Sequence, residues 1–238
     1  YFMEMNTRLQ VEHPVTELVS GLDLVELQLR VAAGESLPFA QDDLAPDGHA
    51  IEVRLYAEDP AGGFLPATGR LARLRYPEES DHVRIDGGVE EGDEVGVHYD
   101  PMISKIIVWD HDRAAAVQRL CAALDATEVA GLKTNRDFLR AIARHPAFAR
   151  AELDTGFIAR HEKSLFAEPA HNLDEALALA ALHVMLTRRA EAEWQAAISA
   201  DPFSPWGMTD GWRLNGRGRT PLEFRLGGDP ETVTAVSE

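Results

Sequence analysis

The 238-residue sequence predicts an α+β fold, and three observations predict it. Short runs rich in Val, Ile and Leu recur between 49 and 109, separated by Gly-rich turns such as Asp86-Gly87-Gly88. From Asp112 the apolar period changes to the 3.6 of a helix. From Asn172 a long capped helical pattern leads into the alternation Leu222, Phe224, Leu226. A strand cluster followed by helices argues for α+β layering rather than alternating βαβ units.

Taken in order, residues 1–13 read as extended. Pro14 has no N–H for a ladder and disfavours helix at His13. A helix fits Asp23 to Ala33, where Asp23 and Glu26 have capping-box spacing and Gly34 is a natural stop. Residues 36–47 read as a loop. Strands are expected at 49–57, 69–75, 82–86 and 103–109. Val117, Leu120, Cys121 and Leu124 then form one helical stripe, and Phe138, Leu139 and Ile142 another. Residues 157–166 suit a short helix. Composition shifts near Glu168-Pro169. A long helix from Asn172 to Ser199 follows, with Leu173, Leu177, Ala180 and Val184 on one face. Trp206, Trp212 and a Gly-Arg-Gly-Arg turn at 216–219 precede the opening of a β unit.

Composition excludes several classes. A net charge of −17 argues against a nucleic-acid backbone as partner, because such binding needs clustered Lys and Arg. No apolar run approaches the length needed to cross a bilayer. Cys121 is the one cysteine, so no intramolecular disulfide forms, and its helical neighbours make it a buried structural thiol. The nine histidines show neither HExxH nor Cys/His zinc spacing, and no Walker-type Gly-Lys-Ser/Thr loop is present.

The stretch Glu4-Met5-Asn6-Thr7-Arg8-Leu9-Gln10-Val11-Glu12-His13-Pro14 carries the chemistry. In an extended chain alternate residues share a face, so Glu4, Asn6, Arg8, Gln10 and Glu12 line one side. Carboxylate and amide oxygens suit Mg²⁺, which also takes substrate phosphates. A guanidinium grips a planar oxyanion in two-pronged fashion, and a second carboxylate can serve as base. An amphipathic edge strand with one solvated face gives the same pattern.

The run from Glu4 to Glu17 resembles the signature that closes the ATP-grasp domain of biotin carboxylases. Gly48-His49-Ala50-Ile51-Glu52-Val53-Arg54-Leu55-Tyr56-Ala57-Glu58-Asp59-Pro60 resembles the start of that family's C-terminal domain. Phe64-Leu65-Pro66, Tyr99-Asp100-Pro101-Met102-Ile103 and Lys133-Thr134-Asn135 follow in the family's order. The resemblance covers about residues 1–165. The tail, with Asp154-Thr155-Gly156-Phe157-Ile158, Asp201-Pro202-Phe203-Ser204-Pro205-Trp206 and Asp210-Gly211-Trp212-Arg213-Leu214-Asn215, resembles the α subunits of 3-methylcrotonyl-CoA carboxylases.

The resemblance implies three parts. Residues 1–47 are the end of an ATP-grasp domain. Residues 48–166 are a biotin carboxylase C-terminal domain with an antiparallel sheet and flanking helices. Residues 167–238 are a partial subunit-docking region of one long helix and the start of a β unit. It implies metal contacts at Glu4 and Asn6. Bicarbonate is held by Arg8, Gln10 and the backbone of Val11, and Glu12 is the base. Arg54 stabilises the enolate of the biotin ureido ring. The implied cofactors are Mg²⁺ or Mn²⁺, ATP, and biotin carried on another segment or chain, since Lys105, Lys133 and Lys163 all lack the flanking methionines of a biotin acceptor. The implied partners are a biotin carboxyl carrier domain, a carboxyltransferase β subunit and a second copy through the biotin carboxylase region, with no nucleic acid and no membrane. The implied location is the bacterial cytoplasm, or the mitochondrial matrix in a eukaryote. The family's glycine-rich ATP lid and ATP-contacting lysines lie upstream of its signature, so the chain by itself is expected to be inactive.

Other readings account for part of the sequence. A carbamoyl-phosphate synthetase half explains neither Arg54 in its Glu-Val-Arg-Leu setting nor the tail. Propionyl- and geranyl-CoA carboxylases share the layout. A non-catalytic dimerisation and docking module fits residues 48–238. Arg54 alternates with Glu52, as a cross-strand ion pair would. Asp100 sits in a turn that favours Asp locally.

Overall fold

The computed structural model describes residues 4–166, 172–199, 218–226 and 229–237, and it divides into two compact units, Tyr1–Ala167 and Glu168–Glu238. Residues 4–12 join no sheet. They run into a turn in which the His13 N–H donates to Gln10 O at 3.3 Å, and helix α1 (His13–Ser20) starts there. This corrects the extended reading of residues 1–13 at its C-terminal end. Pro14 occupies the first helical turn, where a missing N–H leaves no bond unmade. Helix α2 (Leu24–Ala32) has its N-cap at Asp23, whose side chain accepts from the Glu26 N–H at 2.8 Å. At its other end Gly34 takes a left-handed φ of 91°. A 3-10 turn at Gln41–Asp43 sits in the expected loop.

Strand β1 (His49–Tyr56) follows Gly48, whose φ of 66° turns the chain beneath Trp109. A Cβ at Gly48 would lie 2.4 Å from the Asp110 carbonyl oxygen, so only glycine fits the approach. Short strands β2 (Glu58–Asp59) and β3 (Leu65–Pro66) pair with each other. The single strand expected at 69–75 is two, β4 (Gly69–Arg70) and β5 (Arg73–Arg75). Strand β6 (Val83–Gly87) comes next, then β7 (Glu94–Val95), which pairs with β4. Strand β8 (Met102–Asp110) lies between β1 and β6 in one antiparallel sheet ordered β1-β8-β6. The register sets Arg54 opposite Lys105 and Lys105 opposite Asp86.

Helix α3 (Arg113–Ala126) is capped by Asp112, which accepts from the Ala115 N–H at 2.8 Å. Strand β9 (Glu128–Ala130), which the sequence pattern did not reveal, pairs with β5. Gly131 explains the break between β4 and β5. Its backbone passes so close that a Cβ would lie 2.1 Å from the Arg70 carbonyl oxygen and 2.7 Å from the Ala72 nitrogen. Helices α4 (Arg136–Arg144), α5 (Pro146–Ala149) and α6 (Phe157–Leu165) close the first unit.

The principal core lies between the sheet and α3. Val83, Ile106 and Val108 meet Leu120, Ala123 and Leu124, with Ile51, Val53 and Ile85 packed around them. Cys121 packs against this cluster but is half-buried rather than fully enclosed. A second core gathers Leu55, Leu71, Leu74 and Ile103, and a third gathers Phe138, Ala147, Phe157 and Leu165.

The second unit holds helix α7 (Leu173–Ile198) and the antiparallel pair β10 (Gly218–Leu226) and β11 (Asp229–Ser237). Asn172 caps α7 through the Glu175 N–H at 3.3 Å. Leu173, Leu177, Ala180 and Val184 are all at least half-buried, around the buried Ala181. Leu222 is buried and Phe224 half-buried, as the alternation requires. Gly218 and Arg219, expected in a turn, begin β10. Trp206, Trp212 and the motifs between 201 and 217 lie outside the described residues, as does the Leu226 side chain.

Candidate functional site

The sheet β1-β8-β6 has one apolar face against α3. Its other face carries Glu52 and Arg54 from β1, Lys105 from β8, and Arg84 and Asp86 from β6. Period-two alternation puts them there. The segment 10–20 lies along this face and is tied to it at several points. Arg54 Nη2 donates to Glu12 Oε2 at 2.8 Å, across 42 residues of sequence. Lys105 Nζ donates to the Val11 carbonyl oxygen at 3.1 Å and pairs with Asp86 Oδ2 at 2.7 Å. Arg84 Nη1 donates to Glu17 Oε2 at 2.8 Å, while its Nε binds Asp86 Oδ1 at 2.7 Å. Glu17 Oε1 in turn accepts from the Leu24 N–H at 2.8 Å, so one carboxylate anchors both the sheet and the start of α2.

The electrostatics of these groups differ with their surroundings. Burial works against the Arg54 charge, but Tyr56, Glu12 and Glu52 outweigh it and raise its pKa. Burial also works to raise Asp86, yet Arg84 and Lys105 hold its carboxyl below the ordinary carboxylate range. Glu52 goes the other way. Burial pushes it above that range, and Lys105 and Arg54 only partly oppose the shift. Its Oε1 stands 3.8 Å from Arg54 Nε, and its Oε2 has no hydrogen-bond partner.

Of the residues singled out from the sequence, Val11, Glu12 and Arg54 converge on this face. Arg8 stays exposed and donates to Gln10 Oε1 at 3.4 Å and to the Leu9 carbonyl. Gln10 is half-buried. Glu4 and Asn6 are exposed, and neither makes a hydrogen bond or ion pair among the described residues. One carboxylate and one amide oxygen are donors of the type Mg²⁺ takes, but they fill only a minority of an octahedral shell. Among the described residues, no group of three or more His, Cys, Asp or Glu could hold a metal. His13 is structural, with Nδ1 2.7 Å from Gln10 O and Nε2 3.8 Å from Glu17.

Sequence reasoning missed Lys105, Asp86, Arg84 and Glu17 as partners of this site, and treated Glu52 only as a pairing neighbour. One signal was available. Lys105 is a lone charge inside the apolar run Met102–Trp109, and buried lysines are paired ones.

Three family patterns match successive stretches of the chain. The family described as "Biotin carboxylase C-terminal domain" matches residues 52–160. "Carbamoyl-phosphate synthase L chain, ATP binding domain" matches 1–40, and "Methylcrotonyl-CoA carboxylase, alpha-subunit, BT domain" matches 173–238. The mitochondrial methylcrotonoyl-CoA carboxylase subunit alpha of Dictyostelium discoideum is 47% identical over 224 residues, covering 94% of this chain and 32% of that protein. The propionyl-CoA carboxylase alpha chain of Ruegeria pomeroyi is 50% identical over 178 residues, covering 67% of this chain and 26% of that one. The chain thus spans a third or less of either relative. Among solved structures, the biotin carboxylase domain dimer of Hydrogenobacter thermophilus 2-oxoglutarate carboxylase, in complex with MgADP, ADP and bicarbonate, superposes with a TM-score of 0.68. It is 38% identical and covers 71% of this chain and 37% of that one. No described helix is long and apolar enough to cross a membrane. With all three family patterns falling in order along its length, the chain belongs to the biotin carboxylase family and is similar to methylcrotonoyl-CoA carboxylase α subunits over most of its residues.

Proposed function

We propose that this chain forms the bicarbonate- and biotin-facing part of a biotin carboxylase within a 3-methylcrotonyl-CoA carboxylase-like enzyme. The observation that carries this reading is the Glu12–Arg54 pair at 2.8 Å. It joins the base and the cation that the chemistry needs, from two segments far apart in sequence. In this reading residues 1–47 end the ATP-grasp domain, 48–166 form the biotin carboxylase C-terminal domain, and 167–238 belong to the subunit-docking region.

Arg8 and Gln10, with the backbone of Val11, hold bicarbonate. Glu12 removes its proton as a bicarbonate oxygen forms a bond to the γ-phosphorus of ATP and the β–γ bridging bond breaks, giving carboxyphosphate and ADP. Cleavage of the carbon–oxygen bond of carboxyphosphate releases CO₂ and phosphate. Carrier-borne biotin, when bound, would supply the nucleophilic ureido N1 that takes up CO₂, its proton passing to the phosphate, and Arg54 would present a fixed positive charge to the ureido oxygen. Glu4 and Asn6 supply two oxygens toward Mg²⁺ or Mn²⁺, which offsets phosphate charge when bound. Biotin comes from a carrier domain on another segment or chain. Lys105 is committed to Asp86 and Val11, and Lys133 to Asp59.

The remaining partners in this reading are a carboxyltransferase β subunit and a second copy of the biotin carboxylase region. The location is the bacterial cytoplasm or, in a eukaryote, the mitochondrial matrix. The propionyl-CoA carboxylase match keeps the acyl-CoA open to that alternative.

The test measures biotin-dependent ATP cleavage with bicarbonate by the complete α subunit. Arg54→Ala and Glu12→Ala are each expected to lower kcat about 100-fold or more with the fold intact. Unchanged rates would leave residues 48–238 as a dimerisation and docking module.

A further inference from the structure

Glu52 is the one buried carboxylate of the polar face with an unbonded oxygen. Its side chain is 5% exposed, Oε1 lies 3.8 Å from Arg54 Nε, and Oε2 meets no donor. The neighbouring cations do not need it. Lys105 has Asp86 at 2.7 Å, and Arg84 has both Asp86 and Glu17. Arg54 is different. Beside the Tyr56 hydroxyl, its close carboxylate partner is Glu12, whose side chain is 57% exposed and sits on another segment. An exposed ion pair holds geometry weakly.

A buried carboxylate with one oxygen unsatisfied lowers stability rather than raising it. Features that break the local rules in this way concentrate at functional sites. Arg54 lies between two carboxylates, its Nη2 toward Glu12 and its Nε toward Glu52.

We propose that Glu52 is a positioning residue: its buried carboxylate holds the inner edge of the Arg54 guanidinium, so that the outer edge faces Glu12 and the reacting groups. The inference rests on the reading that places Arg54 at the chemistry. It acts through Arg54 on its own strand; the other charged groups around Glu52 are Lys105 on β8, which Asp86 on β6 engages at 2.7 Å, and Glu12 before α1. Glu52 must be ionised to hold a guanidinium. Its burial makes it accept a proton more readily than an ordinary carboxylate, so its hold on Arg54 fails as pH falls through that raised value.

The experiment uses the complete α subunit and follows biotin-dependent ATP cleavage against pH for wild type, Glu52→Gln, Glu52→Asp and Arg54→Ala, with thermal unfolding of each. Glu52→Gln is expected to lower kcat about tenfold above the raised pKa and leave the KM for ATP within about twofold. Its difference from wild type should shrink as pH falls. Its melting temperature should equal or exceed that of wild type, because a neutral isostere replaces a buried charge. A wild-type kcat in Glu52→Gln, or a deficit that does not change with pH, overturns the proposal. If Glu52→Gln does not fold, Glu52→Asp decides. It keeps the charge but withdraws it by one methylene, so a reduced kcat with the wild-type pH dependence supports positioning and an unaltered kcat overturns it. An unimpaired Arg54→Ala overturns the proposed function itself. An impaired Arg54→Ala beside a normal Glu52→Gln overturns only the role of Glu52.

Discussion

On one face of the β1-β8-β6 sheet, Ile51, Val53, Val83, Ile106 and Val108 pack in one apolar cluster with Leu120, Ala123 and Leu124 of α3. On the other face of the same strands, Glu52, Arg54, Arg84, Asp86 and Lys105 form a chain of ion pairs to the segment 10–20. One strand alternation assigns two tasks. The apolar face supplies burial, which stabilises at roughly 25 cal/mol per Å². The charged face gains little net stability, because desolvation offsets much of its Coulomb attraction. It does fix positions. Arg54–Glu12, Arg84–Glu17 and Lys105–Asp86 each tie groups distant in sequence, while Arg54–Glu52 and Arg84–Asp86 brace neighbours on one strand.

The comparison predicts a separation between stability and turnover, and the largest stability effect should come from the apolar face. Ile106 is fully buried at the centre of that core. Ile106→Ala should cost about 4 kcal/mol in denaturant unfolding, the transfer loss plus a cavity. The kcat per folded molecule should stay near wild type, because Ile106 is on the α3-facing side of the sheet, opposite the polar row. A selective loss of kcat with full stability would mean that the two faces are not separable.

The polar face should respond less in stability and should respond to pH. Asp86 accepts from both Arg84 and Lys105, and its side chain is 26% exposed. Its carboxyl is held below the ordinary range in the folded chain, so its contribution is present above the unfolded pKa and lost as pH falls through the folded one. Asp86→Asn should therefore cost about 2 kcal/mol at neutral pH, with the gap from wild type closing in acid. A pH-independent gap would assign the loss to packing.

The apolar face was legible in the sequence because a periodic pattern specifies it. Strand expectations at 49–57, 82–86 and 103–109 match β1, β6 and β8 within a residue at each end. The caps of α2 and α7 were legible for a local reason, since Asp23 and Asn172 each bond a backbone N–H three residues on. Helix α1 was hidden because Pro14 disfavours helix at the residue before it yet suits a first turn, and the two tendencies meet at His13. The break at Leu71-Ala72 was hidden because its cause, Gly131, lies far along the chain. The charged row was half legible. Arg54 stood out by its motif, whereas Lys105, Asp86 and Arg84 become partners only through a register that no local pattern encodes.

The smallest effect sharpens the comparison most, because it lies where the polar face meets α1. Glu17 is 10% exposed at its side chain and divides its oxygens, Oε2 to Arg84 and Oε1 to the Leu24 N–H. Glu17→Gln keeps one carbonyl oxygen for the Leu24 N–H but removes the charge facing Arg84. Arg84 retains Asp86, so the cost should be about 1 kcal/mol. If the charged face mainly fixes positions, this variant should loosen α1 more than it destabilises the whole, with amide exchange in 13–20 accelerating beyond what global unfolding accounts for. Exchange that rises evenly through β1, β8 and α1 would instead make Glu17 an ordinary contributor to stability. Holding segment 10–12 on the sheet would then fall to Lys105 and Arg54, the two residues that bond Val11 and Glu12 directly.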